Sequence, residues 1–137
     1  MERDVIMRQV RQLAQALARA MLHRNTNQYD EAIEEIDRAV SANGEVDIKR
    51  MLTYSRSELQ DYLSGEAGID VEFAVSLSTM LRERANILGD MGDLDGSKTS
   101  ARLAHSILCV VRDSNPAIVP HDLVQRIESL ETRFESD

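Results

Sequence analysis

Apolar residues recur along the chain at steps of three and four, the spacing that places side chains along one side of an α-helix. The first such stripe predicts a helix over about residues 3–23. Met7 and Ala14 widen the apolar side of this helix. Its central stripe consists of Ile6, Val10, Leu13, Leu17 and Met21.

Similar patterns predict six further helices. Four of them are long and cover about residues 29–42, 70–89, 94–111 and 120–135. Two are short: one spans about 46–54, and the next begins at Ser55 and Glu58, which have the spacing of a capping box. Asp70 can cap the helix over 70–89. The helix over 94–111 is apolar around more than half its circumference, so we expect it to be the most buried.

Gly and Pro mark where these helices end. Asn43-Gly44 is a helix stop, Gly65 to Gly68 predicts a loop, and Pro116 and Pro120 mark a break. The result is one all-α domain over residues 1–137, built from antiparallel helical hairpins. Its parts are a hairpin over 1–43, a degenerate hairpin of short helices over 44–69, a hairpin over 70–112 and a capping helix over 120–137.

One pattern of bulky and small residues occurs twice, each time after a polar turn. A bulky apolar residue is followed by a small residue three positions later, and by small or aliphatic residues at the seventh and tenth positions. This is typical of the second helix of a tight helical hairpin. The two copies are Tyr29-x-x-Ala32-x-x-x-Ile36-x-x-Ala39 and Leu94-x-x-Ser97-x-x-x-Ala101-x-x-Ala104.

The doubled pattern resembles the tetratricopeptide repeat, with Ala32 and Ser97 at the small position of the second helix. Ala20 and Ala85 stand where that repeat has Gly in its first helix, and the repeat-ending Pro is absent. The copies begin 65 residues apart, at Tyr29 and Leu94, whereas tandem repeats begin about 34 apart. The resemblance implies a right-handed array of six or seven helices, with a degenerate hairpin between the two recognisable ones.

The start of the chain, Met1 to Val10, resembles a narrower family of short, uncharacterised bacterial tetratricopeptide-like proteins. The likeness covers most of the chain, including the hairpin at Tyr29 and the hairpin at Gly92-Asp93. It implies a bacterial cytoplasmic protein with this fold. It implies no activity.

Composition supports the helical interpretation and limits the classes of partner that we expect. Hydrophobic residues make up 42% of the 137 residues, but aromatic residues only 4%, so the core must be aliphatic, which favours helix over sheet. The net charge of −8 disfavours nucleic acid and anionic membrane as partners. Cys109 lies in an apolar run and is expected to be a buried, unreactive thiol.

The expected compartment is the cytoplasm. No apolar run approaches the roughly 20 residues of a membrane helix. Arg residues near the N-terminus raise the question of a transit peptide, but Glu2 and Asp4 are unusual in such peptides.

The sequence contains few residues in patterns typical of catalytic or metal-binding sites. Asp93, Asp95 and Gly96 have part of a calcium-loop spacing, but Met91 and Arg102 occupy positions where that loop needs acids. A solvated turn is therefore the preferred interpretation. No metal-ligand motif includes a histidine, and no nucleophile or phosphate-loop motif occurs. We therefore predict no catalytic residue, no metal and no cofactor, and a protein that is not an enzyme. The histidines are His23, His105 and His121.

One charged face is a candidate for partner binding. On the first helix it carries three arginines and two glutamines, and the helix over 70–89 adds Arg82 and Asn86. Such a face can bind an acidic peptide through charge-assisted hydrogen bonds. The alternative is an ordinary solvated face, neutralised by the acidic second helix at Glu31, Glu34, Glu35 and Asp37. The first-helix residues are Arg8, Arg11, Gln12, Gln15 and Arg19.

The functional prediction is therefore a non-catalytic protein-interaction or scaffold module. An alternative is a regulatory domain that senses a ligand or peptide, which needs an apolar pocket with convergent polar groups. The six Met residues and the wide apolar side of the helix over 94–111 leave a homodimer as a further alternative.

Overall fold

The computed structural model describes the backbone of residues 3–42, 46–65, 68–114 and 121–135, and their side chains except at 3–5, 121–123 and 133–135. This description does not include the predicted helix stops at Asn43-Gly44, Pro116 and Pro120. It also does not include the side chain of His121. The elements in chain order are α1 (Arg3–Asn25), α2 (Tyr29–Ser41), α3 (Ile48–Met51), α4 (Arg56–Tyr62), β1 (Ser64–Gly65), β2 (Gly68–Ile69), α5 (Val71–Asp90), α6 (Leu94–Ser114) and α7 (His121–Glu135).

The predicted all-α class is confirmed, because the described residues form seven helices and only a two-residue ladder. The ladder pairs β1 with β2 in antiparallel fashion inside the segment predicted to be a loop. Gly68 in β2 has a φ of 106°, a conformation that residues with a Cβ rarely adopt.

The helix caps follow the sequence. Ser55 and Glu58 form the predicted capping box at the start of α4. Asp70 Oδ1 accepts a hydrogen bond of 2.9 Å from the backbone N–H of Phe73, as predicted for α5. Asp47 caps α3 in the same way, which the sequence analysis did not predict. These caps satisfy backbone donors that the first helical turn leaves without a partner.

Serine hydroxyls link α5 and α6 at two positions along this hairpin. Ser97 Oγ donates to the carbonyl oxygen of Ala85 at 2.8 Å, and Ser78 Oγ donates to that of Ala104 at 2.9 Å. Ala85 and Ala104 are fully buried. A side chain as short as Ser can reach the backbone of the next helix only if the two helices are close. The small residues of the repeated pattern therefore lie where these two helices approach.

Helix α1 is rotated relative to the predicted stripe. Its buried face consists of Ile6, Gln9, Leu13, Ala16 and Ala20. Of the predicted stripe, only Ile6 and Leu13 are buried, while Val10 and Leu17 are half-buried and Met21 is exposed. Met7 and Ala14, predicted to widen the buried side, are also exposed. The predicted direction of the buried face was wrong by about 60° around the helix axis, at roughly 100° per residue.

The physical reason for this rotation is the size of the residues. The sequence of α1 offers two adjacent stripes, one rich in Ala and one rich in Leu, Val and Met. Burying Ala16 and Ala20 lets α1 approach its neighbours closely, and Ala20 is as fully buried as Ala32 in α2. Close packing at small residues therefore takes precedence over burying the larger side chains.

The hairpin of α1 and α2 contacts α5 directly. Arg24 near the end of α1 binds two carboxylates of α5, with Nε 2.8 Å from Asp90 Oδ2 and a terminal nitrogen 3.0 Å from Glu83 Oε1. Arg84 of α5 donates through Nε to Asp37 of α2 at 2.8 Å. Helices α3 and α4 therefore do not separate the two long hairpins, as the expected degenerate hairpin would.

Helices α1 and α5 run in the same direction. Their C-terminal ends are joined by the pair of Arg24 and Asp90. At the other end, the side chain of Ile6 lies next to Gly65, a few residues before α5 begins. The two helices therefore lie side by side in parallel, and this arrangement forms the surface described below.

The core is aliphatic, as expected, and centres on α5 and α6. Helix α6 is extensively buried, but it is not the most buried helix as predicted, because α5 and α6 have ten buried residues each. Ile127 and Leu130 of α7 are buried, and α7 packs against α6. Among the described residues, no helix combines the length and the apolar character needed to cross a bilayer.

Candidate partner-binding site

An apolar groove lies between the parallel helices α1 and α5. It encloses about 240 Å³ and exposes mainly apolar atoms. Helix α7 contributes one residue, Arg126, at the edge. We call this surface the α1–α5 groove. Its lining residues are Leu13, Ala14, Leu17, Val75, Ser76, Thr79, Met80 and Arg126.

The groove is a direct consequence of the rotation of α1. Because the Ala-rich stripe is buried, the Leu- and Val-containing stripe is left at the boundary between core and surface. Leu17 and Val75 are half-buried, and Ala14 is exposed. The apolar residues that sequence analysis assigned to the core of α1 thus form part of a surface groove.

Three of the predicted face residues lie on the other side of α1, next to α2. Gln12, Gln15 and Arg19 line a shallow cleft of about 470 Å³ together with Glu35 and Arg38 of α2. Arg19 Nε lies 3.0 Å from Glu35 Oε2. The arginine is thus paired with the acidic helix, which is the contact expected for a neutralised, solvated face.

The other predicted residues do not join this cleft. Arg8 and Arg11 are exposed on α1. Arg82 and Asn86 are half-buried on α5, and Asn86 Nδ2 donates to Glu83 Oε2 at 3.3 Å. The structure therefore brings together the glutamines and Arg19, and it leaves Arg82 and Asn86 on a different helix outside the linings of both the cleft and the groove.

A further cleft of about 450 Å³ lies between α2, α3 and α5. Arg84 of α5 is the most constrained polar group in its lining, with 19% of its side chain exposed. Its Nε donates to Asp37, and a terminal nitrogen donates to Ser100 Oγ at 2.7 Å. Ile48 and Leu52 add apolar surface. The cleft combines a fixed cation with an apolar wall.

The aspartates of the turn between α5 and α6 have structural partners. Asp93 Oδ1 accepts from the backbone N–H of Gly96 at 2.9 Å, which caps the start of α6. A Cβ at position 96 would collide with this carboxylate, so the absence of a side chain at Gly96 leaves room for Asp93 to cap the helix. Asp90 pairs with Arg24. Across the part of the chain that the structure describes, no cluster of three or more His, Cys, Asp or Glu side chains could hold a metal ion.

Cys109 is buried, as predicted, and its surroundings make it a weak nucleophile. Burial raises the pKa of the thiol, so the reactive thiolate is scarce at neutral pH. Sγ lies 3.7 Å from both ring nitrogens of His105. His105 Nε2 lies 3.1 Å from Glu131 Oε1 on α7. This group of residues joins α6 to α7.

Sequence analysis missed the groove, because it assigned the larger apolar residues of α1 to the core. The alanines at positions 16 and 20, one helical turn apart, were the available signal, since small residues mark close helix approaches.

Comparison of the chain with models of protein families, with curated proteins and with solved structures finds no match.

Proposed function

We propose that the protein is a non-catalytic protein-interaction module that holds a peptide segment of its partner in the α1–α5 groove. The observation that carries this proposal is the uncovered apolar stripe of α1 beside a parallel helix. Parallel helices with an apolar furrow between them bind segments that present side chains at regular spacing.

The partner segment that fits best is apolar with acidic flanks. Arg126 lines the groove. A cation in the lining of an apolar furrow favours a segment that pairs acidic side chains with apolar anchors. This keeps the expectation of an acidic partner and moves its contact from the α2 side of α1 to the α5 side.

We also propose a tetratricopeptide-like arrangement, in which α1 and α5 are the first helices of two repeats and α2 and α6 are the second. Support comes from the parallel course of α1 and α5 and from the burial of Ala32, Ser97 and Ala104. In this proposal α3 and α4 are an insertion between two adjacent repeats. A bacterial, cytoplasmic location belongs to the same proposal.

The cleft between α2, α3 and α5 favours a second candidate, a regulatory domain that senses a small ligand or peptide. Its volume falls within the range of small-molecule sites. Arg84 is held in place on two sides, so it can bind an anionic group without losing much side-chain freedom. Leu52 in its wall is exposed and can be changed at low cost.

A displayed library of random peptides tests the proposal, because it offers the protein segments of every composition. Peptides are selected on the wild-type protein, and their affinities are measured by fluorescence titration. Ala14→Glu places a carboxylate in the groove, whereas Ala18→Glu makes the same change at an exposed residue of α1 outside the groove lining. Leu52→Glu places a carboxylate in the cleft between α2, α3 and α5. Circular dichroism verifies that all variants are folded.

The groove proposal predicts selected peptides rich in apolar and acidic residues. Ala14→Glu should weaken them about tenfold or more, while Ala18→Glu and Leu52→Glu should leave the affinity unchanged. Loss of binding on Leu52→Glu alone would favour the second candidate. Failure to select any peptide, or equal binding by all variants, would contradict both.

A further inference from the structure

The cleft between α2, α3 and α5 has an ion pair in its lining. Arg84 Nε of α5 donates to Asp37 Oδ1 of α2 at 2.8 Å, and both residues line the cleft. A terminal nitrogen of Arg84 also donates to the hydroxyl of Ser100 on α6 at 2.7 Å, and Ser100 is only 1% exposed. Contacts with two neighbouring helices therefore fix the position of the guanidinium group before any ligand binds.

Both members of this pair keep hydrogen-bonding capacity beyond the pair itself. A guanidinium group has five N–H donors, and Arg84 uses one on Nε and one on a terminal nitrogen. Within the described part of the chain, Oδ1 of Asp37 accepts from Arg84, and Oδ2 has no donor. The two side chains are 19% and 44% exposed. A ligand in the cleft can therefore reach unused donors on Arg84 and an unused acceptor on Asp37.

Apolar side chains form another part of the same lining. Ile48 is the first residue of α3 and is buried, and Leu52 directly follows α3 and is exposed. The cleft encloses about 450 Å³, which is within the range of sites for small molecules. A ligand that reaches the ion pair therefore has room to place an aliphatic group against this apolar wall.

The other charges in the lining do not favour one sign strongly. Arg38 lies 3.8 Å from Glu35 of its own helix, so part of its charge is already balanced. Asp47 is engaged as the cap of α3. Such mixed charges are complementary to a ligand that carries both signs, and less so to a simple anion or cation. The charged residues of the lining are Arg38, Lys49 and Arg84 on one side of the balance, and Asp37 and Asp47 on the other.

We propose that this cleft binds a free α-amino acid with an aliphatic side chain. The α-carboxylate accepts hydrogen bonds from the unused N–H groups of Arg84, and the α-ammonium donates to Asp37. The side chain packs against Ile48 and Leu52. An α-amino acid carries its two charged groups on one carbon atom, which matches the direct contact between Arg84 and Asp37.

The inference rests on the second candidate function, whose cleft it uses and whose ligand it specifies. It does not depend on the α1–α5 groove. Its experiment uses no library peptide, so its failure can be distinguished from a failure of the groove proposal.

Isothermal titration calorimetry of the full chain with four compounds tests the inference. Leucine carries both charged groups and an aliphatic side chain. N-acetyl-leucine lacks the ammonium group, leucinamide lacks the carboxylate, and glycine lacks the side chain. The first two of these also imitate the last and the first residue of a peptide, so they separate a free amino acid from a peptide end. Leucine should bind about tenfold or more tightly than each of the other three, because each lacks one contact.

Changes in the ion pair should weaken leucine in a specific way. Arg84→Lys keeps the charge but loses the planar fork of donors, and Asp37→Asn removes the charge that attracts the ammonium group. Each should weaken leucine about tenfold. The matched controls are Arg19→Lys and Glu35→Gln, which alter a similar pair, 3.0 Å apart, in a cleft whose apolar lining residues are alanines. These controls should bind leucine as the wild type does.

Leu52→Glu tests the cleft without altering the ion pair, in case Arg84 or Asp37 is needed for folding. Leu52 is exposed, so the change is compatible with the fold, and circular dichroism verifies this. It should weaken leucine about tenfold, because it replaces the apolar wall with a carboxylate. Val124→Glu makes a similar change at an exposed residue of α7 and should leave the affinity unchanged.

Three results would overturn the inference. The first is the absence of leucine binding with a dissociation constant below about 1 mM. The second is equal affinity for leucine and either N-acetyl-leucine or leucinamide, which would assign the cleft to a peptide end or a simple ion. The third is equal binding of leucine by Leu52→Glu and Val124→Glu, which would place the leucine site elsewhere on the protein.

Discussion

At the scale of single residues, the fold depends on where the small side chains lie. Ala20, Ala32 and Ala85 have no exposed surface, although alanine gains little from burial itself. Their importance is geometric, because they let neighbouring helices approach. Ser97 shows the same role with a polar atom, since its hydroxyl is buried only because the carbonyl oxygen of Ala85 accepts its hydrogen bond.

Enlarging one of these small residues should therefore be costly. Ala20→Leu should lower the free energy of unfolding by about 1–3 kcal/mol, because the added atoms must push α1 away from its neighbours. Ala18→Leu, on the exposed side of the same helix, should change it by less than about 0.5 kcal/mol. Urea unfolding followed by circular dichroism measures both. Equal stability of the two variants would show that α1 does not pack through Ala20.

Capping residues were the residue-scale features best predicted from sequence. Ser55 with Glu58, and Asp70, act as expected because a cap depends on side chains three residues apart in the chain. The partner of Arg19 was also anticipated as an alternative, since the acidic second helix follows the first directly. Long-range pairs such as Arg24 with Asp90 could not be predicted, because nothing local specifies them.

At the scale of the helix, α1 shows why a period alone does not identify a buried face. Two stripes with similar spacing lie side by side on it and share Ile6 and Leu13; one continues through larger apolar residues and the other through Gln9, Ala16 and Ala20. Which one is buried depends on how closely the neighbouring helices approach, and that is a property of the assembled hairpins. The Leu-containing stripe was the natural prediction by hydrophobicity, but the Ala-containing stripe allows the closer approach.

The orientation of α1 can be tested by two truncations on the same helix. Leu13 is 2% exposed, so Leu13→Ala should cost about 2–5 kcal/mol of unfolding free energy. Met21 belongs to the predicted stripe but is exposed, so Met21→Ala should cost less than about 1 kcal/mol. Thermal and urea unfolding give both values. A loss of about 2 kcal/mol or more for Met21→Ala would restore the stripe expected from sequence, which contains both residues.

At the scale of the whole molecule, the two long hairpins contact each other directly. The distance of 65 residues between Tyr29 and Leu94 suggested an intervening hairpin, because a tandem repeat is about half that length. Arg24 and Arg84 instead join the two hairpins directly, and the tetratricopeptide-like arrangement proposed above treats α3 and α4 as an insertion. Sequence spacing cannot distinguish an inserted layer from an insertion beside the stack, since both need the same length of chain.

Direct stacking also determines which surfaces remain for partners. It places α1 beside α5 and so creates the α1–α5 groove. The face predicted from sequence is divided by the same arrangement, with Gln12, Gln15 and Arg19 next to α2 and with Arg82 and Asn86 on α5.

The central claim is that the partner contacts the α5 side of α1, and methyl NMR tests it most directly. A library-selected peptide is titrated into protein labelled at the methyl groups of Leu, Val and Met. The account predicts the largest shifts at Leu17, Val75 and Met80, which line the groove. Shifts concentrated at Leu52, in the cleft between α2, α3 and α5, would contradict the claim. So would the absence of shifts at the groove methyl groups with every selected peptide.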